Sequence, residues 1–326
     1  MMLFALSMGR KRVLITDDCH ELLIAGLERL GYECRFAPEI TPEEVSACIT
    51  EYEGLIINSK IHVDSVLLAR AVRLQFVGRL GSGMEIVDKS AAAMRGVAVV
   101  SSPEGNSNAV AEHALGMLLA LLNNLVRADR EVRQRIWRRE ANRGTELSGK
   151  VIGILGFGNT GSQFARKLAS MDVQVLAYDK YKKNYAADMP WVEETDLATL
   201  QRKADIISLH LPLTAETQHI VDASFIRQCK PGFLLINTSR GACVKTEDLA
   251  QALEEGLVGG VCLDVFENEK PATFSPAEAE LYERLYRHER VVLSPHIAGW
   301  THESKRKLAE VLLEKITAAL QAKWLQ

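Results

Sequence analysis

VIGILGFGNTG, residues 151–161, is the stretch that decides the fold. An apolar, β-branched run enters a turn with glycines at 156, 158 and 161, the spacing Gly-x-Gly-x-x-Gly, and the residues after it read as a helix. Gly156 permits a tight turn, Gly158 lets the backbone approach a pyrophosphate, and Gly161 lets helix and strand pack closely. The helix N-terminus, with Asn159 and Thr160 in its first turn, supplies free N–H groups and a positive dipole for an anion. The next strand, VQVLAYD, ends in Asp179, 18 residues beyond Gly161, where an acid can hold a ribose 2′-hydroxyl. The unit reads as dinucleotide-binding. Asp179 would repel a 2′-phosphate, which favours NAD over NADP, while Lys180, Lys182 and Lys183 pull the other way.

On the carboxyl side of this unit DIISLHL, FLLINTS, VGGVCLD and VVLSP continue a series of strands separated by helical stretches. On its amino side RVLIT, YECRF, GLIIN, LQFVGRL and VAVVS form an earlier series, with helices centred near Leu23, Val45, Leu67 and Ala92. Such alternation implies parallel sheets covered on both faces, so the class is α/β with two doubly wound domains. The first series has no glycine at its opening turn, RVLITDDCHELL, and is expected to bind something other than the dinucleotide. A cleft with cofactor on one wall and a small substrate on the other follows as the expected arrangement. The Ala/Leu-rich stretch from Asn108 to Arg138 predicts one extended helix linking the two series, and Thr301 to Ala322 predicts a last helix. Residues 8–105 with 300–326 are expected to form one domain, around a dinucleotide domain at 106–299.

Composition excludes several classes. In 326 residues Lys+Arg number 39 and Asp+Glu 42, both spread along the chain, so no footprint for nucleic acid is visible. At 47% hydrophobic and 25% charged residues the chain has the makeup of a folded globular protein. The longest apolar run, Ala114 to Leu122, is under half of the roughly 20 residues a membrane span needs, so no membrane is expected. The opening MMLFALSMGRKR has its basic residues after the apolar ones, the reverse of a secretory signal. Met8 is therefore the expected natural start, with Met1 to Ser7 packing on nothing. The six cysteines show no Cys-x-x-Cys and no histidine in ligand register, which suits a reduced, cytoplasmic protein without a metal.

Three segments at the carboxyl ends of predicted strands in the second series carry chemistry, because open α/β sheets place ligands there. INTSRGACV holds Arg240, whose planar fork can grip a carboxylate through two parallel hydrogen bonds. LDVFENEKP holds Asp264 and Glu269, and LSPHIAGWT holds His296, a residue able to exchange a proton near neutral pH. A carboxylate bonded to that ring would fix its orientation. Together they describe 2-hydroxy acid chemistry. Spacing alone does not bring them together, and His113 reads as a core or interface residue.

NSNAVAEHALGMLLAL, GKVIGILGFGNTG, DIISLHLPLTAET, INTSRGACV, LDVFENE and SPHIAGWT, in this order and spacing, resemble the D-isomer-specific 2-hydroxyacid dehydrogenases. The resemblance runs from about Leu74 to about Glu303. It implies a discontinuous, flavodoxin-like substrate domain flanking a Rossmann dinucleotide domain, an NAD-dependent oxidoreductase, and a homodimer joined through the dinucleotide domain. By resemblance Arg240 is the substrate-carboxylate arginine, Glu269 the acid supporting the histidine and His296 the general acid/base. Asn159 and Thr160 match pyrophosphate contacts and Asp179 the ribose acid; Pro212, Thr217, Thr238, Ser239, Asp264 and Gly299 match positions lining the adenosine and nicotinamide. Gly81, Ser82 and Gly83 resemble the loop whose amides hold the substrate carboxylate.

Departures are also visible. Phosphoglycerate dehydrogenases, the alternative within the family, commonly carry an arginine where this chain has Asn58, Ser59 and Lys60. Lys270 replaces a proline after Glu269, and residues 272–290 are longer and more charged than is usual. An NADH-sensing, corepressor-like binding protein is the alternative from another class, since it would keep the same three residues. The specific hydroxy acid and the direction of reaction are not written in the motifs.

Overall fold

Along β1 (Lys11–Ile15) Val13 and Ile15 enter one apolar core and Leu14 the opposite one, the alternation of a strand buried on both faces. This computed structural model describes residues 11–324; the expectations for Met1 to Ser7 and for Met8 lie outside them. Contacts divide the chain into two compact units, one comprising the described residues up to Asn106 and those from Thr301 onward, the other Ser107–Trp300.

In the first unit β1, β2 (Tyr32–Phe36), β3 (Gly54–Ile57), β4 (Phe76–Arg79) and β5 (Ala98–Ser101) form one parallel sheet in the order β2-β1-β3-β4-β5. This is the flavodoxin-like winding, which reverses direction at β1. One face packs Leu55, Ile57 and Val77 against Val45, Ile49 and Leu68 from helices Pro42–Cys48 and Ser65–Arg70 and the 3₁₀ turn Ile49–Glu51. The other packs Ile56 and Phe76 against Leu23 and Leu27 of helix Glu21–Arg29 and against Leu312 and Ile316 of the last helix, His302–Trp324. The sequence-distant C-terminal helix thus completes the first sheet's core.

In the second unit β6 (Val151–Leu155), β7 (Gln174–Tyr178), β8 (Val192–Glu194), β9 (Ile206–Leu209), β10 (Phe233–Asn237), β11 (Val258–Leu263) and β12 (Val291–Leu293) form a parallel sheet. Its order is β12-β11-β10-β9-β6-β7-β8. β6 lies between β7 and β9, so the strand order switches beside the glycine turn that follows β6. Ile152 and Ile154 face Ala114, Met117, Leu118 and Leu121, while Ile207 and Leu235 enter the core on the other side. β8, three residues long, adds an edge strand to those expected from the sequence.

The single extended helix expected from Asn108 to Arg138 is two helices, Pro103–Leu122 and Leu125–Arg133, bent by 63°. Asn124 adopts φ 53°, a left-handed conformation that asparagine tolerates better than most residues. Its Nδ2 donates to Arg143 O at 3.1 Å, and Thr145 N–H donates to Leu122 O at 2.9 Å, so a returning loop takes the place of the next helical turn. In and after the second of these helices Glu131 is buried, 3.0 Å from Arg138 and accepting from Asn142 at 2.7 Å. Among the described residues no single helix is long and apolar enough to cross a membrane.

Candidate active site

The turn after β6 leads into the helix Asn159–Leu168, capped by Gly158 with extended backbone (φ −87°). A Cβ at Gly156 would lie 2.5 Å from His210 O, and one at Gly161 would overlap Gly156 O, so neither position has room for a side chain. At Gly158 a Cβ would meet nothing within 4 Å, which leaves open space at the helix N-terminus. Asp179 Oδ2 accepts the Phe157 N–H at 3.0 Å, while Oδ1 accepts Tyr181 N–H at 3.0 Å and Lys182 N–H at 3.1 Å. These amides fix the carboxylate beside the glycine turn. An open pocket of about 480 Å³ lies on the side of Asp179 toward β8, lined in part by Asp179, Lys182, Tyr185 and Thr195.

Two of the three lysines that weaken the NAD reading have partners within the fold. Lys180 Nζ lies 2.8 Å from Glu216, and Lys182 Nζ donates to Phe157 O at 2.9 Å. Just after β9, His210 is partly buried and desolvation pulls its pKa down to about 3; its Nε2 meets Ser208 Oγ at 2.9 Å and its buried Nδ1 has no partner. The turn beyond is closed by Thr217 Oγ1, which donates to Pro212 O at 2.6 Å. Thr238 Oγ1, at the end of β10, is likewise buried without a partner. An unmet buried hydroxyl is costly, and a ligand's polar group beside it would remove that cost. The glycine cradle, the held acid and this orphaned hydroxyl fit a dinucleotide.

Arg240, Glu269 and His296 follow β10, β11 and β12, three adjacent strands. His296 Nδ1 is 2.8 Å from Glu269 Oε2, and Phe266 N–H donates to Glu269 Oε1 at 3.3 Å. Burial works against ionisation of Glu269, but the His296 bond and charge, the Phe266 amide and the charge of Arg240 outweigh it and hold the carboxyl below its usual range. Arg240 and Glu269 are thus electrically coupled. A Cβ at Gly241 would overlap the Phe266 carbonyl, so the loop bearing Glu269 lies directly on the backbone beside Arg240. Asn237, which sequence reading passed over, braces that arginine: its Oδ1 accepts Ser239 N–H at 3.0 Å and Ser239 Oγ at 2.8 Å, and its Nδ2 donates to Arg240 O at 2.9 Å. Only its position at the end of a buried strand signalled such a role.

The unusual segment after Glu269 is ordered by side-chain caps. Lys270 N–H donates to Asn268 Oδ1 at 3.0 Å, and Ser275 and Glu278 form a capping box that starts the helix Pro276–Arg287. Tyr282 OH from that helix accepts Asn268 N–H at 3.0 Å. Asp264 is fully buried, with both oxygens accepting amides of the loop that carries His296: Ile297 on Oδ1 at 2.9 Å and Ala298 on Oδ2 at 2.8 Å. Gly299 follows in the same loop, ahead of the Trp300 N–H that donates to Ile297 O at 2.8 Å. In the first unit Gly81, Ser82 and Gly83 follow β4; Gly81 O accepts Ser102 N–H at 3.2 Å, and the Ser82 hydroxyl donates to Asn106 Oδ1 at 3.0 Å.

A doubly wound sheet with a glycine cradle at its switch point, and a histidine–carboxylate pair beside an arginine, define a dinucleotide-binding α/β protein. Residues 115–298 match the family described as D-isomer specific 2-hydroxyacid dehydrogenase, NAD binding domain. Hydroxypyruvate reductase of Thermotoga maritima is 34% identical over 312 residues, 95% of this chain and 98% of that protein. D-3-phosphoglycerate dehydrogenase of Archaeoglobus fulgidus is 32% identical over 305 residues, 94% of this chain but 56% of that protein. The chain spans about half the length of the phosphoglycerate dehydrogenases it matches. The crystal structure of D-lactate dehydrogenase from Aquifex aeolicus, complexed with NAD and lactic acid, aligns with TM-score 0.81 at 25% identity over 96% of each chain. The chain belongs to the D-isomer-specific 2-hydroxyacid dehydrogenase family.

Proposed function

We propose that the protein is an NAD-dependent dehydrogenase of unphosphorylated D-2-hydroxy acids, equally a reductase of the matching 2-oxo acids. The observation that carries this reading is the 2.8 Å contact of His296 Nδ1 with Glu269 Oε2, beside Arg240 and on the same sheet as the glycine cradle. When bound, the dinucleotide supplies the hydride that adds to C2. Gly156, Gly158, Asn159, Thr160 and Gly161 hold its pyrophosphate and Asp179 its ribose, while Pro212, Thr217, Thr238, Ser239, Asp264 and Gly299 line the rest of its site.

Arg240 grips the substrate carboxylate through its planar fork. The amides of Gly81, Ser82 and Gly83, in the first unit, are carboxylate donors by resemblance to the family alone. With Nδ1 engaged by Glu269, the other ring nitrogen of His296, Nε2, is the atom that donates a proton to the forming hydroxyl or removes it in the reverse reaction. Glu269 fixes the orientation of the ring. The preference for unphosphorylated acids follows from Asn58, Ser59 and Lys60, of which only Lys60 is a cation, and its Nζ is donated to Pro38 O. A cytoplasmic homodimer completes the reading, in keeping with six free thiols.

The test is loss of NADH absorbance with glyoxylate, hydroxypyruvate, pyruvate, bulkier 2-oxo acids and phosphohydroxypyruvate, with NADPH in parallel. Turnover of unphosphorylated acids with NADH is the expected result. Preference for phosphohydroxypyruvate would move the assignment to phosphoglycerate dehydrogenase, the name several relatives carry. NADH binding without turnover on any acid would replace the enzyme by a dinucleotide sensor.

A further inference from the structure

The Asp264 carboxylate accepts, besides the two amides, the Ser294 hydroxyl at 2.6 Å on Oδ1, and the Asp264 carbonyl accepts the His296 N–H at 2.7 Å. The segment from Ser294 to Ala298 is therefore wrapped around one buried aspartate. His296 stands inside this wrap at φ 56°, a left-handed conformation that a residue other than glycine keeps only where surrounding bonds over-determine it. Its ring is half exposed, so the backbone wrap does much of the work of keeping Nδ1 in reach of Glu269.

One more group enters this network. His113, on the helix Pro103–Leu122, places Nε2 2.8 Å from Ser294 Oγ and 3.6 Å from Asp264 Oδ1. A serine hydroxyl has one proton, and at 2.6 Å that proton goes to Asp264. The contact with His113 must then run the other way, with Nε2–H as donor and Oγ as acceptor. One turn along the same helix Met117 Sδ lies 3.7 Å from Ser294 Oγ and closes the other side of the hydroxyl.

We propose that His113 is a positioning residue for His296: its Nε2–H sets the Ser294 hydroxyl on Asp264, and Asp264 in turn holds the loop that presents the proton-exchanging ring. The proposal rests on the reading of His296 as the general acid/base. His113 touches neither substrate nor cofactor in it, and no step of the reaction passes through its ring.

The experiment uses the full chain and the variants His113→Leu, His113→Gln, Ser294→Ala and Ser294→Thr. It measures kcat, NADH affinity by fluorescence titration, and hydrogen exchange at the Ile297 and Ala298 amides. His113→Leu and Ser294→Ala should lower kcat by about tenfold or more, as expected when a reacting group is misplaced by a fraction of an ångström to an ångström. NADH affinity should stay near wild type, and both amides should exchange faster. Ser294→Thr keeps the hydroxyl and should retain most of kcat; His113→Gln keeps a donor and should lose less than His113→Leu. Wild-type kcat and wild-type exchange in His113→Leu would overturn the proposal, as would a Ser294→Thr variant as impaired as Ser294→Ala. If the wild-type protein turns over no 2-oxo acid, the functional reading fails instead, and the exchange measurement still decides the positioning claim: unchanged amides in His113→Leu refute it, faster exchange supports it.

Discussion

Adding one methyl group at Gly158 and, separately, at Gly161 separates the two things the turn does. At Gly161 the new Cβ overlaps Gly156 O and lies 3.2 Å from Gly156 C and 3.3 Å from Ile154 Cγ2. Two of these three are backbone atoms with no rotamer to yield, so the helix Asn159–Leu168 must shift off β6. Overpacking of this kind costs about 1–3 kcal/mol. For a domain the size of the second unit each kcal/mol moves the midpoint by about 2–4 °C, so Gly161→Ala should melt about 2–12 °C lower. At Gly158 the backbone conformation is open to any L-residue and the Cβ meets nothing. Gly158→Ala should therefore melt like wild type. On the proposed placement its methyl nevertheless occupies the approach of the pyrophosphate, and losing one charge-assisted hydrogen bond, worth about 1.5–3 kcal/mol, should weaken NADH binding about 10- to 150-fold. Scanning calorimetry without cofactor and fluorescence titration with NADH read the two effects independently. Wild-type NADH affinity in Gly158→Ala would refute the placement of the pyrophosphate, and an unshifted midpoint in Gly161→Ala would refute the packing argument.

Arg240→Lys should cut kcat/KM for a 2-oxo acid by about 10- to 150-fold, because a point charge cannot reproduce two parallel bonds to a carboxylate; steady-state kinetics at saturating NADH would show it. His210, neutral in the fold with a pKa of about 3 against 6.5 when free, makes the unfolded chain bind the extra proton between those values. Stability should thus fall as the pH drops below 6.5, with this residue contributing up to about 1.4 kcal/mol per pH unit, and denaturant titrations of His210→Gln should give a flatter acid slope. Glu269 has the opposite partners and the same sign: its lowered value means stability present above the ordinary carboxylate range and lost as the pH falls through the folded value. Glu269→Gln should accordingly be less stable than wild type at neutral pH and converge with it in acid.

What could be read from the sequence was what its chemistry writes locally. The glycine turn and Asp179 lie within one strand–turn–helix–strand unit, and each demands a particular residue type, so pattern alone located them. The strand runs were equally legible, because strands buried on both faces show as continuous apolar stretches. The bend at Asn124 was not: it depends on a loop around Arg143 and Thr145 that arrives later in the chain, takes the carbonyl of Leu122 and offers its own to Asn124. β8 carries too little pattern to announce itself, being one half-buried valine and two exposed glutamates. Glu269 and His296 are far apart in sequence, and their 2.8 Å contact follows from β11 and β12 being neighbours, which only the topology reveals. His113 was read as a core or interface residue because its helix face is apolar, and nothing near it in sequence announces Ser294.

The central claim is that His296 moves the proton while the glycine turn, elsewhere on the same sheet, binds the dinucleotide. The most direct measurement compares wild type and His296→Asn for turnover of the best 2-oxo acid and for NADH affinity in the same preparation. Loss of a general acid should lower kcat by about 100-fold or more with NADH affinity unchanged. Turnover that survives the substitution, or turnover and NADH binding lost in equal measure, would contradict the assignment.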